Sequence, residues 1–168
     1  MESVIAAYPK VGETLEDSVT PLTRIQMVVY LQGVDLFSHC SAEQMVRIAS
    51  IARQRRFEEG DSIYSHQDLP EALYCVVEGE VGLSEPGGEV RTVGVGETFG
   101  VQEILSDRLR RFDARAMRRT ATLAIDAEDF FDLLSNNIEI VKALFRQLLQ
   151  PRAVEDFHES TPQEVATL

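Results

Sequence analysis

The sequence has few of the residues that build metal sites and disulfide frameworks, with only two cysteines and three histidines. Cys40 and Cys75 lie far apart and neither belongs to a CxxC pair. We therefore expect two buried, reduced thiols instead of a disulfide or a metal site. His39, His66 and His158 are isolated from one another, which leaves no histidine cluster for a metal ion.

Long apolar runs are also lacking. No stretch approaches the roughly 18 consecutive apolar residues that a membrane-spanning helix requires, so the sequence predicts a soluble protein without membrane contact. Residues 1–10 lack the charged start and apolar stretch of a secretory signal. We therefore expect a cytoplasmic protein.

Basic residues are outnumbered, with 16 Lys and Arg against 28 Asp and Glu and a formal net charge of -12. A surface of this charge repels phosphate backbones, so we expect no nucleic-acid partner. Six arginines nevertheless fall within residues 108–119: Arg108, Arg110, Arg111, Arg115, Arg118 and Arg119. The leading interpretation is a solvated strand face paired with acids, and the alternative is a patch that docks a protein partner.

The chain divides into three parts by composition and periodicity. Residues 1–20 are polar without a sustained period and are predicted to be a flexible leader, and residues 151–168 to be a flexible acidic tail. Between them, residues 21–150 form one predicted domain. This domain opens with a helix starting at Pro21 and ending near Gly33, and continues with a second helix that Ser41 begins through a capping box with Gln44.

After Arg53 the apolar period falls to two, which predicts antiparallel strands. The predicted strands are 55–58, 62–66, 72–78, 80–84, 89–95, 112–117 and 120–126. Glycine-containing turns separate them, as in a sandwich or barrel. Two closing helices follow, the first capped by Asp126 and the second by Asn136 or Asn137.

Four segments carry a resemblance to a known family: Val34 to Phe37, Phe57 to Ile63, Leu73 to Val81, and Gly96-Glu97-Thr98-Phe99-Gly100. In this order and spacing the chain resembles the cyclic-nucleotide-binding domains of catabolite activator protein and of protein kinase A regulatory subunits, over about residues 22–149. The resemblance implies a mainly β fold with flanking α-helices, namely a double-stranded β-helix or jelly roll. It also implies that residues from Phe99 onward form the phosphate-binding cassette.

The predicted anion site consists of Phe99, Gly100, Val101, Arg110 and Arg111. A glycine lets the backbone approach a ligand, and a short helix after it directs free amides at an anion. In the family an arginine binds the cyclic phosphate, and the count from Phe99 places it at Arg110. We interpret Arg111 as a second anion contact.

Departures from the family pattern predict an altered pocket. Val101 stands where the family has a glutamate that holds the ribose hydroxyl, and Arg111 and Phe112 replace small residues. Losing a charge-assisted hydrogen bond costs about 1.5–3 kcal/mol, or roughly ten- to a hundredfold in affinity. We therefore expect weakened or altered cyclic-nucleotide binding.

Two functional hypotheses remain open. The first is a non-catalytic regulatory module that senses a small anionic ligand, a cyclic nucleotide or another phosphate-bearing molecule, without a resident cofactor. The second is a ligand-free interaction module, or a detached regulatory domain of a larger protein, that docks a partner through the arginine-rich region 108–119 or through its last helix. The apolar stripe of that helix fits core packing or a homodimer seam. A cupin-like enzyme is a third alternative, which the isolated histidines disfavour.

Overall fold

The computed structural model describes residues 21–150. The α-helices of this part are α1 (Arg24–Gln32), α2 (Ala42–Ile51), α3 (Val101–Ser106), α4 (Ala127–Asn136) and α5 (Ile138–Leu149), with a 3-10 helix at Asp35–Phe37. Its strands are β1 (Ala52–Phe57), β2 (Ser62–Tyr64), β3 (Ala72–Glu78), β4 (Val81–Ser84), β5 (Val90–Val93), β6 (Thr98–Phe99), β7 (Asp113–Ala116) and β8 (Thr120–Asp126). The predicted leader and tail lie outside the described residues.

The strands form two four-stranded antiparallel sheets, in the orders β1-β8-β3-β6 and β2-β7-β4-β5. Helices α1, α2, α4 and α5 pack together at one side, where their apolar side chains join those of the first sheet. The mainly β jelly-roll fold with flanking helices is therefore confirmed.

The central strands of the first sheet, β3 and β8, are buried on both faces. On β3, Leu73 and Cys75 belong to the core shared with the helices, whereas Tyr74 and Val76 belong to the core between the two sheets. Alternate residues of a strand point to opposite faces, so a strand buried on both sides must be apolar throughout. This explains the unbroken apolar run of β3.

The predicted start of the first helix is wrong. Helix α1 does not begin at Pro21 but after Thr23, whose hydroxyl accepts from the Gln26 amide while the Gln26 side chain accepts from the Thr23 amide. This capping box satisfies free amides of the first turn, which proline cannot do. The equivalent box at Ser41 and Gln44 is confirmed.

The predicted caps of the closing helices are wrong in their hydrogen bonds. Asp126 precedes α4 without a side-chain cap bond, because its carboxylate lies 3.5 Å from Arg53 on the neighbouring strand. Asn137 precedes α5, but its side-chain amide donates back to the Leu133 carbonyl at 2.7 Å. Asp126 thus forms an ion pair, and Asn137 bonds to the preceding helix, in place of the predicted cap bonds to first-turn amides.

Candidate functional site

The candidate site begins where β6 ends. Thr98 and Phe99 pair with β3, and the Phe99 ring stacks on Tyr74 with their centroids 5.0 Å apart. Gly100 then adopts a left-handed conformation with φ of 80° and opens the short helix α3. A left-handed residue at this point favours glycine, since a Cβ atom is unfavourable there.

Arg110 lies directly against Gly100. Its side chain is 1% exposed, and Nη1 donates to the Gly100 carbonyl at 2.8 Å while Nη2 donates to the Ala72 carbonyl at the start of β3. The guanidinium carbon lies 4.1 Å from the centre of the Tyr64 ring. The Nε–H has no hydrogen-bond partner in the described structure. The arginine is thus buried in the cassette, and its Nε–H is the one donor without an acceptor in the described structure.

The close contact between Gly100 and Arg110 is possible because residue 100 has no side chain. A Cβ atom at position 100 would lie 2.7 Å from Arg110 Nη1 and 3.2 Å from the Ala72 carbonyl oxygen. Only glycine leaves room for the guanidinium at this distance. Tyr64 completes the enclosure, and its burial raises the pKa of its phenol, an effect that the nearby Arg110 charge partly opposes.

A buried acid, Glu103, faces this arginine and was missed in the sequence analysis. Its Oε2 lies 3.6 Å from Arg110 Nη1, and its Oε1 accepts from the Arg111 amide at 3.5 Å. The carboxylate belongs to the first turn of α3. An acid in the first turn of a short helix is too common a feature to single out from sequence, since acids are favoured there in any helix.

A hollow of about 120 Å³ lies beside the cassette. Its walls are formed by Leu36, Tyr64, Leu83, Arg91, Thr98, Phe99, Gly100, Val101, Gln102, Glu103, Leu105, Phe112 and Leu148. Arg110 is not among these lining residues, and Phe112 forms part of the wall. Pockets for drug-sized ligands typically measure about 300–1,000 Å³, so this hollow is small for a nucleotide.

The five predicted site residues do not all meet. Phe99, Gly100 and Val101 line the hollow. Arg110 donates to the Gly100 carbonyl but does not itself line the hollow. Arg111 points to the surface, where its guanidinium lies 2.6 Å from the Glu85 carboxylate. In this conformation the Arg111 guanidinium forms an ion pair with Glu85 and does not face the hollow.

The arginine-rich region 108–119 is largely paired with acids, as its leading interpretation predicts. Besides Arg111, Arg118 contacts Glu80 at 2.7 Å and Arg119 contacts Glu58 at 3.9 Å. Exposed pairs of this kind contribute little to stability, about 0–1 kcal/mol each. They do reduce the positive charge that this region presents to a partner.

A second hollow, of about 130 Å³, adjoins the first and is lined only by apolar residues. Its walls are Leu36, Val101, Leu105, Phe130, Leu134, Val141, Leu144, Phe145 and Leu148. Val101 and Leu105 of α3 therefore share walls with α4 and α5. The cassette helix thus faces the closing helices across an apolar hollow.

Comparison with known proteins agrees with this geometry. The family model described as the cyclic nucleotide-binding domain matches residues 54–137, which is half of the chain. The chain belongs to the cyclic nucleotide-binding domain family. Within residues 21–150 this domain contains no helix of the length and apolarity that crossing a bilayer requires.

Relatives of this cyclic nucleotide-binding domain occur in proteins of different kinds. The cyclic AMP receptor protein of Thermus thermophilus is 33% identical over 109 residues, covering 62% of this chain and 50% of that protein. A cyclic nucleotide-gated potassium channel of Rhizobium etli is 26% identical over 120 residues, covering 71% of this chain and 34% of the channel. The chain spans half or less of the length of the curated relatives it matches.

Among solved structures, the N-terminal domain of a transcriptional regulator from Streptomyces coelicolor superposes with a TM-score of 0.62 at 26% identity. The match covers 71% of this chain and 89% of that domain. The similarity therefore extends over nearly the whole of that separately solved domain.

Proposed function

We propose that this chain is a non-catalytic regulatory module that responds to a small anionic ligand at the Gly100–Arg110 cassette, with cyclic-nucleotide binding weaker than is usual in its family. The observation that carries the proposal is the state of Arg110. Its guanidinium is buried, its nearest acid lies 3.6 Å away, and its Nε–H has no partner in the described structure. A buried cation that is incompletely paired favours binding of an added anion.

Three features support weakened cyclic-nucleotide binding. Val101, where the family has a ribose-binding glutamate, presents an apolar side chain to the hollow. Both terminal nitrogens of Arg110 already donate to main-chain carbonyls. The hollow, of about 120 Å³, is also smaller than ligand pockets usually are. Each feature lowers affinity without removing the positive charge.

The apolar hollow shared by α3 and α5 could couple ligand binding at the cassette to a movement of α5. Val101 and Leu105 line the apolar hollow that Leu148 and Phe145 of α5 also line. A ligand that displaces α3 changes the shape of this hollow, and the α5 side chains that line it are then expected to repack. We infer that α5 reports occupancy by shifting between two arrangements, which the ligand binds with different affinity.

A second candidate is the ligand-free interaction module. The observation that favours it is that protein carbonyls already use both Nη groups of Arg110. In this case α5 docks a protein partner or a second copy of the chain, through apolar side chains such as Ile138, Phe145 and Leu149, which are 64%, 57% and 77% exposed. The arginine-rich region 108–119 is the alternative docking surface.

Ligand titration monitored by thermal unfolding separates the two candidates. A ligand at a hundred times its Kd stabilises the native state by about 2.7 kcal/mol. We expect a concentration-dependent rise in Tm with cyclic AMP, cyclic GMP or inorganic phosphate at millimolar concentration. Arg110→Gln should abolish this rise, whereas Arg118→Gln, an exposed arginine outside the cassette, should preserve it.

Val101→Glu tests the proposed cause of the weakening. A carboxylate at this position restores the acceptor that the family uses for the ribose, so cyclic AMP affinity should rise about tenfold or more while phosphate affinity does not. Absence of any ligand-induced shift in the wild type and in Val101→Glu would leave the interaction module as the function.

A further inference from the structure

The carboxylate of Glu103 already makes the two contacts that an incoming anion would make, one with a main-chain amide of the cassette and one with its arginine. We propose that Glu103 is an internal counter-anion that competes with the ligand for Arg110 and thereby sets the affinity of the site. This inference rests on the proposed function, since it concerns the same cassette.

The geometry supports competition and not permanent pairing. The distance from Glu103 Oε2 to Arg110 Nη1 is 3.6 Å and that from Oε1 to the Arg111 amide is 3.5 Å. Charge-assisted hydrogen bonds are typically about 2.7–2.9 Å. Both contacts are therefore longer than those of a strong pair, so an incoming anion can compete for the same donors.

Access to the ligand is the second requirement. Glu103 is 8% exposed and lines the same hollow as Gly100 and Val101. Because it belongs to the first turn of α3, its position depends on the same helix that an anion would approach. Glu103 lines the hollow and Arg110 does not, so the carboxylate is the more accessible of the two to a ligand in the hollow.

The charge balance fixes the direction of the effect. With Glu103 in place, an anion must either displace the carboxylate or accept a like charge a few ångströms away, and either event weakens binding. Without it, the buried Arg110 charge lacks its nearest partner, an arrangement that is costly in the free protein and that a bound anion relieves. Neutralising Glu103 should therefore raise anion affinity while lowering the stability of the free protein.

The test compares Glu103→Gln with wild type, using isothermal titration of cyclic AMP and of inorganic phosphate into the full chain. We expect Kd to fall at least tenfold for both probes. The matched control is Glu59→Gln, which removes one exposed acid from a turn outside the cassette and should leave Kd within about twofold. The double variant Glu103→Gln with Arg110→Gln should lose the gain, because the gain depends on the freed guanidinium.

The outcomes distinguish this inference from the proposed function. An unchanged Kd in Glu103→Gln, with wild-type binding that Arg110→Gln abolishes, would overturn the role of Glu103 and leave the anion sensor intact. If neither probe binds the wild type, Glu103→Gln or Val101→Glu, the inference and the proposed function are both overturned. If Glu103→Gln does not fold, Glu103→Asp withdraws the carboxylate by one methylene group, and an unchanged Kd in that variant also counts against the inference.

Discussion

At the scale of single residues, the cassette depends on one close contact between Gly100 and Arg110. The glycine has the left-handed backbone that opens α3, and its missing side chain gives the guanidinium access to the Gly100 and Ala72 carbonyls. A substitution at position 100 therefore has two costs, one from the backbone and one from the lost space. These two costs can be measured separately.

We predict that Gly100→Ala lowers the free energy of unfolding by about 3 kcal/mol, measured by urea denaturation. The left-handed backbone accounts for about 1 kcal/mol, and displacement of the buried Arg110 for the rest. The control is Gly87→Ala, which also has a positive φ, of 74°, but no atom within 4 Å of a new Cβ. That variant should lose only the backbone share, and equal losses in the two variants would contradict the steric argument.

The sequence predicted the proximity of Phe99, Gly100 and Arg110, because their relation is set within one short segment of known pattern. It did not predict the burial of Arg110. The Ala72 carbonyl and the Tyr64 ring that enclose the guanidinium come from strands far away in the chain, and only the assembled sheets bring them there. The pairing of Arg111 with Glu85 has the same long-range origin.

At the scale of secondary-structure elements, the helix starts differ in how they are stabilised. Ser41 makes a reciprocal capping box at α2, whereas Asp126 precedes α4 without a side-chain cap bond and contacts Arg53 instead. Both residues are of types that favour helix starts, so sequence treats them alike. Their contributions to stability should nevertheless differ.

We predict that Ser41→Ala costs about 1 kcal/mol of unfolding free energy, because the Gln44 amide in the first turn loses its acceptor, the Ser41 hydroxyl. Asp126→Ala should cost about half as much or less, since it removes only a partly exposed ion pair. Chemical denaturation of both variants against wild type provides the measurement. A larger loss at Asp126 than at Ser41 would mean that its ion pair, and not capping, dominates.

The elements that sequence predicted best are those with one unambiguous pattern. β3 and β8 were predicted with their observed bounds, 72–78 and 120–126, because each is a run of apolar and β-favouring residues that ends at an acid, Glu78 or Asp126. The two-residue strand β6 and the 3-10 helix at Asp35–Phe37 were not predicted, since elements of two or three residues have no period to detect. β6 is positioned by pairing with β3, and the 3-10 helix by packing against α5.

At the scale of the whole molecule, stability should fall in alkaline solution. Burial raises the pKa of Cys75 from its ordinary value of 9.0 to about 12. In the unfolded chain the thiol ionises near its ordinary value, whereas in the native state it stays protonated. The native state therefore binds more protons over this interval, and its stability is full below pH 9 and declines as the pH rises towards 12.

We predict that the free energy of unfolding decreases with a slope approaching about 1.4 kcal/mol per pH unit above pH 9 from this thiol alone. Guanidinium denaturation at several values between pH 8 and pH 10 measures the slope, before the buried Tyr64, whose pKa is also raised, adds its own contribution. Cys75→Ala should have a shallower slope over the same range, whatever its absolute stability. Parallel slopes in the two proteins would argue against a protonated Cys75.

The first sheet separates two cores, and neighbouring residues of β3 therefore belong to different compartments. A spectroscopic probe at position 75 would sense the helices, whereas one at position 76 would sense the interior of the roll. Because the two cores share no side chains, we expect the helical layer to be able to rearrange while the roll keeps its shape. Probes at two adjacent positions are thus sufficient to tell motion of the helical layer from loosening of the entire domain.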